Sequence, residues 1–253
     1  MDGTWLLLAA TALFAGFVDA VAGGGGMVQV PALLSAFPAE SPATLFGTNK
    51  GASIFGTANA ALRYARRIAV PWRLAAPAAG AAFVSSWLGA AAVAWLPREV
   101  LRPLILVLLV AVTAYTALRK DMGMGPAAAP PRPGVALPAA AAGAVLGFYD
   151  GFFGPGAGSF LIFVFVRFFA LDFLRASAVA KVVNVATNAA ALLYFAPTGH
   201  VLWGLALTMA VFNVAGATVG SRLAISRGSG FVRGVFLLVS AVLIAKFGYD
   251  TFH

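Results

Sequence analysis

No cysteine occurs in the chain, which removes disulfides, thiolate metal sites and cysteine nucleophiles and leaves the redox compartment open. Histidine is nearly as scarce: His200 and His253 are the two present, too few for a histidine-rich metal site. Charge is scarce as well. Only 10% of the 253 residues are charged, against roughly 25% in ordinary soluble domains. Meanwhile 61% are hydrophobic and the mean hydropathy is +0.93, more apolar surface than a soluble fold can hide. No Gly-x-x-x-x-Gly-Lys-Ser/Thr phosphate loop is present, so the chain carries no nucleotide motor of its own. No cofactor is expected.

What is present is a series of apolar stretches, most of them near the roughly 20 residues a helix needs to cross about 30 Å of hydrocarbon. They run at about 4–22, 26–38, 43–65, 72–96 and 99–118, and again at about 135–153, 158–171, 175–195, 200–223 and 231–249. Long apolar runs with small residues, rather than ten-residue alternating segments, predict helices and not a barrel. The expectation is an all-α polytopic membrane protein of eight to ten transmembrane helices, multi-pass in the cytoplasmic (inner) membrane. The first stretch is read as a membrane helix and not a signal peptide, because it follows Asp2 rather than a basic start and lacks a convincing cleavage site. The net charge of +9 is spread as single arginines and small groups between apolar segments. That pattern sets orientation and predicts no nucleic-acid partner.

Residues 119–134 contain Lys120, Asp121, three glycines, Arg132 and four prolines, which break a helix and favour an exposed linker. The flanking repeats are 1–118 and 135–253. A displacement of 131 residues superposes Gly16, Phe17, Asp19, Gly23 and Gly25 on Gly147, Phe148, Asp150, Gly154 and Gly156. At the same offset Lys50 meets Lys181, Trp72 meets Trp203, Gly89 meets Gly220 and Arg102 meets Arg233. With four lysines and five tryptophans in the whole chain, these coincidences mark an internal duplication. Arg63, Arg66, Arg67 and Arg73 place the connection between the third and fourth segments in the cytoplasm. Five crossings per half invert the second half relative to the first, the plan of many secondary transporters. Stretches 26–38 and 158–171 are short for full crossings; if they dip and return, the repeats are parallel.

In each half the first segment holds an aspartate followed by a glycine-rich break, Asp19 before Gly23 to Gly26 and Asp150 before Gly154, Gly156 and Gly158. Such breaks expose amide N–H groups, tolerated in a membrane only inside protein or beside a water-filled cavity. Helix N-termini there attract anions, which makes Gly24, Gly25 and Gly156 candidate anion-site positions. Lys50 and Lys181 lie well inside apolar segments, where an ammonium must face a partner or a cavity. Thr48, Asn49, Asn184 and Asn188 share those stretches and complete a candidate set for a small oxyanion. The competing readings are that Asp19 and Asp150 form structural ion pairs with the lysines, or that they carry a coupling proton. Gln29, Asn59, Asn213 and Ser159 are read as bonding across helices, and Trp5, Trp72, Trp95 and Trp203 as interfacial anchors.

The stretches Gly16-Phe-Val-Asp19 with Gly23 to Gly26, Gly47-Thr-Asn-Lys50, Gly147-Phe-Tyr-Asp150 with Gly154-Pro-Gly156, and Gly216 to Gly220 followed by Ser221-Arg222-Leu223 carry a resemblance covering nearly the whole length. The chain resembles the TauE/SafE family of sulfite and organosulfonate exporters. The resemblance implies permease activity toward small sulfur-containing anions without an ATP-hydrolysing subunit. The expected function is therefore a secondary transporter of a small anion working by alternating access, with no enzymatic activity. Its expected partners are the anionic substrate and membrane lipid, with homo-oligomerisation left open. The alternatives are a passive anion channel and an intramembrane aspartyl enzyme using Asp19 and Asp150.

Overall fold

The computed structural model describes residues 3–93 and 134–252, which form eight helices with no strand among the described residues. They are α1 (Gly3–Ala22), α2 (Gly25–Ala36), α3 (Pro42–Arg67), α4 (Trp72–Ala92), α5 (Ala136–Phe152), α6 (Ala157–Phe169), α7 (Phe173–Phe195) and α8 (Trp203–Phe252). The expected segment 99–118 and the linker, apart from Gly134, lie outside the described residues. The expected segments 200–223 and 231–249 are two helices that follow one another without a loop at Gly228, where the backbone leaves helical geometry at φ 74°, and they are labelled together as α8. Glycine adopts that backbone region without a Cβ penalty, so the chain turns there while the apolar runs on either side stay helical.

Local chemistry sets the helix starts. Ser41 Oγ accepts the Thr44 N–H at 3.1 Å with Pro42 behind it, a side-chain cap with proline in the first turn. Asp172 Oδ1 likewise accepts the Arg175 N–H at 3.0 Å to begin α7. Thr4–Ala22, Trp72–Ala92, Phe173–Phe195 and Trp203–Val239 are long and apolar enough to cross a membrane. α3 has the length, 26 residues, but is diluted by Thr48, Asn49, Lys50, Ser53, Thr57 and Asn59, which it turns inward while Phe55 and Leu62 face out. α2 and α6, with 12 and 13 residues, reach only about 18–20 Å at 1.5 Å per residue.

Small residues set the packing. A Cβ on Gly16 would sit 2.8 Å from the Asn213 carbonyl carbon, and one on Gly147 would sit 2.5 Å from Ala82 Cα. Gly220 is pressed against Phe17 in the same way, and Gly89 against Phe148. Each of these contacts maps onto its mate at the 131-residue offset. Thus α1 packs on α8 and α5 packs on α4, the first helix of each half against the fourth of the other. α3 adds to α8 and α7 to α4, while α2 lies on α1 and α3 and α6 on α7 and α5.

The end of α1 shows how a membrane helix stops inside protein. Gly23 takes φ 78° and breaks the helix, leaving terminal carbonyls without intrahelical partners. Tyr64 Oη donates to Ala20 O at 2.9 Å, Ser177 Oγ to Val21 O at 3.1 Å and Ser159 Oγ to Ala22 O at 2.7 Å, three hydroxyls from three other helices. Tyr64→Phe is expected to lower stability by about 1 kcal/mol, the net worth of one such bond. Thermal unfolding in detergent measures this, and an unchanged midpoint would show that the Ala20 carbonyl finds another donor.

Candidate functional site

α3 and α7 cross, and each brings a buried lysine, the two related by the 131-residue offset, to the crossing. A desolvated ammonium demands a counter-charge, and each finds one on the other half. Lys50 Nζ donates to Asp150 Oδ1 at 2.6 Å, and Thr187 Oγ1 donates to Oδ2 of the same carboxylate. Lys181 Nζ lies 3.0 Å from Asp19 Oδ1, an ion pair without hydrogen-bond alignment, while Thr57 Oγ1 donates to Asp19 Oδ2 at 3.1 Å. At the 131-residue offset Lys50–Asp150 becomes Lys181–Asp19.

These partners also fix helix direction. Asp150 joins Lys50 to Thr187, and Asp19 joins Thr57 to Lys181. Ascending α3 is therefore descending α7, and the two helices run antiparallel. Seven residues separate Lys50 from Thr57, so the two clusters sit about 10 Å apart along α3.

A cavity of about 30 Å³ lies against both clusters, lined by Asp19, Lys50, Asp150, Asn49, Ser53, Thr57, Asn184 and Asn188 and by Gly23, Gly26, Gly154 and Gly158 of the two breaks. It has room for about two water molecules. The side-chain oxygens of Asn49 and Asn184 are buried without a hydrogen-bond partner. Polar atoms that a protein leaves unsatisfied call for an explanation such as a ligand or water. A half-turn of either amide exchanges its oxygen and nitrogen, so each also has donors for an incoming anion.

The structure brings together Asp19, Asp150, Lys50, Asn49, Asn184 and Asn188 at the cavity. Lys181 stands behind Asp19, wholly buried, and does not line the cavity. Thr48 is engaged elsewhere: its hydroxyl donates to Thr44 O at 2.7 Å and accepts the Leu202 N–H at 3.0 Å, tying the start of α8 to α3. Gly24, Gly25 and Gly156 shape the breaks without lining the cavity. Gly25 admits the Asp19 side chain, whose Cβ lies 2.7 Å from where its own would be, and Gly156 starts α6 at φ 84°. Ser53, Thr57 and Thr187 were not picked out from sequence. Their signal was helical spacing, since Ser53 and Thr57 continue Asn49 at intervals of four, and Thr187 lies between Asn184 and Asn188.

The remaining polar residues bond across helices. Asn213 Nδ2 donates to Gln29 Oε1 at 3.2 Å, and Asn59 Nδ2 donates to Thr218 Oγ1 at 2.7 Å. Trp5, Trp72 and Trp203 are exposed at helix ends; Trp95 lies outside the described residues.

Apolar helices closed around a polar cavity with two lysine–aspartate pairs, one buried and one partly solvated, fit the architecture of a membrane transporter. The chain belongs to the sulfite exporter TauE/SafE family, whose model matches residues 8–247. It is 37% identical over 241 residues to the "Probable membrane transporter protein YfcA" of Escherichia coli (strain K12), covering 95% of this chain and 88% of the relative. It is 36% identical over 242 residues to the "Probable membrane transporter protein ORF9" of Sinorhizobium sp, covering 96% and 91%. A "Probable membrane transporter protein" of Haemophilus influenzae is 31% identical over 236 residues, covering 93% and 91%. No solved structure gives a significant match.

Proposed function

We propose that this protein is a secondary transporter that carries a small anion, sulfite or an organosulfonate, across the cytoplasmic membrane by alternating access. The observation that carries the reading is the cavity itself. A lysine ammonium, asparagine amides and the backbone of two glycine breaks converge there beside the Asp19 and Asp150 carboxylates; with Lys50 released from Asp150 these donors suit an oxyanion and stand where α2 and α6 begin. The antiparallel course of α3 and α7 supports an inverted repeat of 1–118 against 135–253 joined by the 119–134 linker. The family description supports the substrate class.

The geometry speaks against the aspartyl-enzyme alternative. An aspartic protease dyad shares one proton between two adjacent carboxylates, whereas Asp19 and Asp150 each hold a lysine of their own. Proteoliposomes containing the purified protein are expected to take up labelled sulfite or a taurine-like sulfonate saturably, driven by an imposed pH gradient. Lys50→Ala removes a charged donor and is expected to weaken binding about ten- to a hundredfold, the equivalent of about 1.5–3 kcal/mol. Uptake that never saturates would indicate a channel, and no uptake of any sulfur oxyanion would remove the substrate assignment.

A further inference from the structure

Sorted by close packing, the helices fall into two groups that do not coincide with the two halves of the sequence. One group is α1, α2 and α3 with α8; the other is α5, α6 and α7 with α4. Each takes three helices from one half and its fourth from the other. The backbone-to-backbone glycine contacts between long helices lie within the groups, Gly16, Gly216 and Gly220 between α1 and α8, and Gly89, Gly143, Gly147 and Gly151 between α4 and α5; one such contact, Gly23 against Gly158, crosses between the groups where the two glycine breaks meet. Between the groups, contact is concentrated where α3 crosses α7, with smaller contacts of α1 on α6 and α7 and of α7 on α8. Interiors packed backbone to backbone move as units, so the seam between the groups is the plane along which the molecule can open.

Both ion pairs cross that seam. Asp19 belongs to the first group and is clasped by Lys181 of the second; Asp150 belongs to the second and is clasped by Lys50 of the first. Each carboxylate is also held by a threonine of its own group, Asp19 by Thr57 and Asp150 by Thr187. When a lysine leaves, its aspartate therefore stays in place. The cavity sits on the same seam, with Asp19, Asn49, Lys50, Ser53 and Thr57 on one wall and Asp150, Asn184 and Asn188 on the other.

The two clasps are not in the same condition. Lys50–Asp150 is closed at 2.6 Å with side chains 4% and 7% exposed; Lys181–Asp19 stands at 3.0 Å with Asp19 17% exposed and no aligned hydrogen bond. The slacker clasp lies toward the end of α3 that carries Arg63, Arg66 and Arg67.

We propose that the moving bodies of the transport cycle are these two groups with exchanged fourth helices, and that the Lys50–Asp150 and Lys181–Asp19 pairs are its alternating gates. The inference rests on the transporter reading above and adds which parts move and what holds them shut. An anion in the cavity competes with a carboxylate for its lysine, which releases one clasp and lets the seam part on that side. The clasp about 10 Å away along α3 stays closed and keeps the other side sealed. Both clasps are made in the described structure, at 2.6 Å and 3.0 Å, the second on the more solvated aspartate.

The test uses the absence of cysteine, since any introduced pair is the only labelling site. Phe55 on α3, Val84 on α4 and Leu193 on α7 all face outward. Spin labels at Phe55→Cys and Val84→Cys report on two helices of one half in different groups. Labels at Val84→Cys and Leu193→Cys report on different halves in one group. Adding Asp19→Asn is expected to shift and broaden the first distance distribution and leave the second unchanged. Exchanging the charges, with Asp19→Lys and Lys181→Asp together, is expected to restore the first. Lys181→Gln opens the same clasp from its other side, gives the same pattern, and stands in where Asp19→Asn does not fold. An unchanged first distance, or a second distance that shifts as it would if the halves were the moving units, overturns the proposal. The readout requires no transported ion, so its failure is distinguishable from failure of the uptake assay.

Discussion

Lys50→Met is expected to destabilise the protein by about 3–5 kcal/mol, because removing one partner of a buried pair strands the other charge. The stranded group is Asp150, 5% exposed and left with Thr187 as its donor. Adding Asp150→Asn to Lys50→Met removes the stranded charge while keeping an acceptor for Thr187, and is expected to recover most of the loss. Anion binding stays weakened about ten- to a hundredfold in the double variant, since the cavity still lacks its lining cation. The equivalent change Lys181→Met strands Asp19, which is 17% exposed and bonded to Thr57. Partial solvation makes its cost smaller than that of Lys50→Met, even though the two lysines are sequence equivalents. Unfolding midpoints in detergent order the three variants. A larger loss at Lys181 than at Lys50 would contradict the difference in solvation seen between the two clasps.

Gly16→Val and Gly147→Val are expected to be damaging to a similar degree, about 3 kcal/mol or more, the upper range for overpacking because the obstacle is backbone. Gly16 faces the Asn213 peptide and Gly147 faces Ala82, positions related by the same 131-residue offset. Side-chain rearrangement cannot relieve either clash; α1 must separate from α8, or α5 from α4. Gly80 in α4 supplies the contrast, since nothing lies within 4 Å of a Cβ added there. Gly80→Ala is expected to raise stability by about 0.5–1 kcal/mol through reduced chain entropy. Unfolding midpoints that leave Gly16→Val near wild type while Gly147→Val collapses would break the equivalence of the two contacts.

Much of this arrangement is visible in the sequence because it rests on rare residues. A lysine inside an apolar run has few excuses, and two of them at one offset from each other, each matched by an aspartate at the same offset, mark the positions that the structure gathers. The pairing itself is not visible. Lys50 with Asp19 and Lys50 with Asp150 obey the duplication equally well, and only the exchanged packing of first and fourth helices selects the second. Thr57 and Thr187 escape notice because hydroxyl residues in membrane helices commonly bond to their own backbone, as Thr208 does to Gly204 O at 2.8 Å. Thr48 misleads for the converse reason: it sits beside Asn49 and Lys50, but one residue along a helix turns a side chain by about 100°, away from the cavity and toward Leu202. The two final apolar segments read as separate because Arg222 to Arg233 interrupts them, and the structure does separate them, by the single residue Gly228 instead of a loop.

The exchange of fourth helices also has a meaning for how the chain is made. α1 leaves the ribosome before α8, yet the surface that fits its Gly16 face is on α8. Until then α1, α2 and α3 lie in the membrane with their group incomplete, and the hydroxyls of Ser159 and Ser177 that will satisfy the α1 terminus are not yet synthesised. Assembly of the first group therefore waits for α8, and both groups are completed by helices that follow the 119–134 linker, whichever side of it began them.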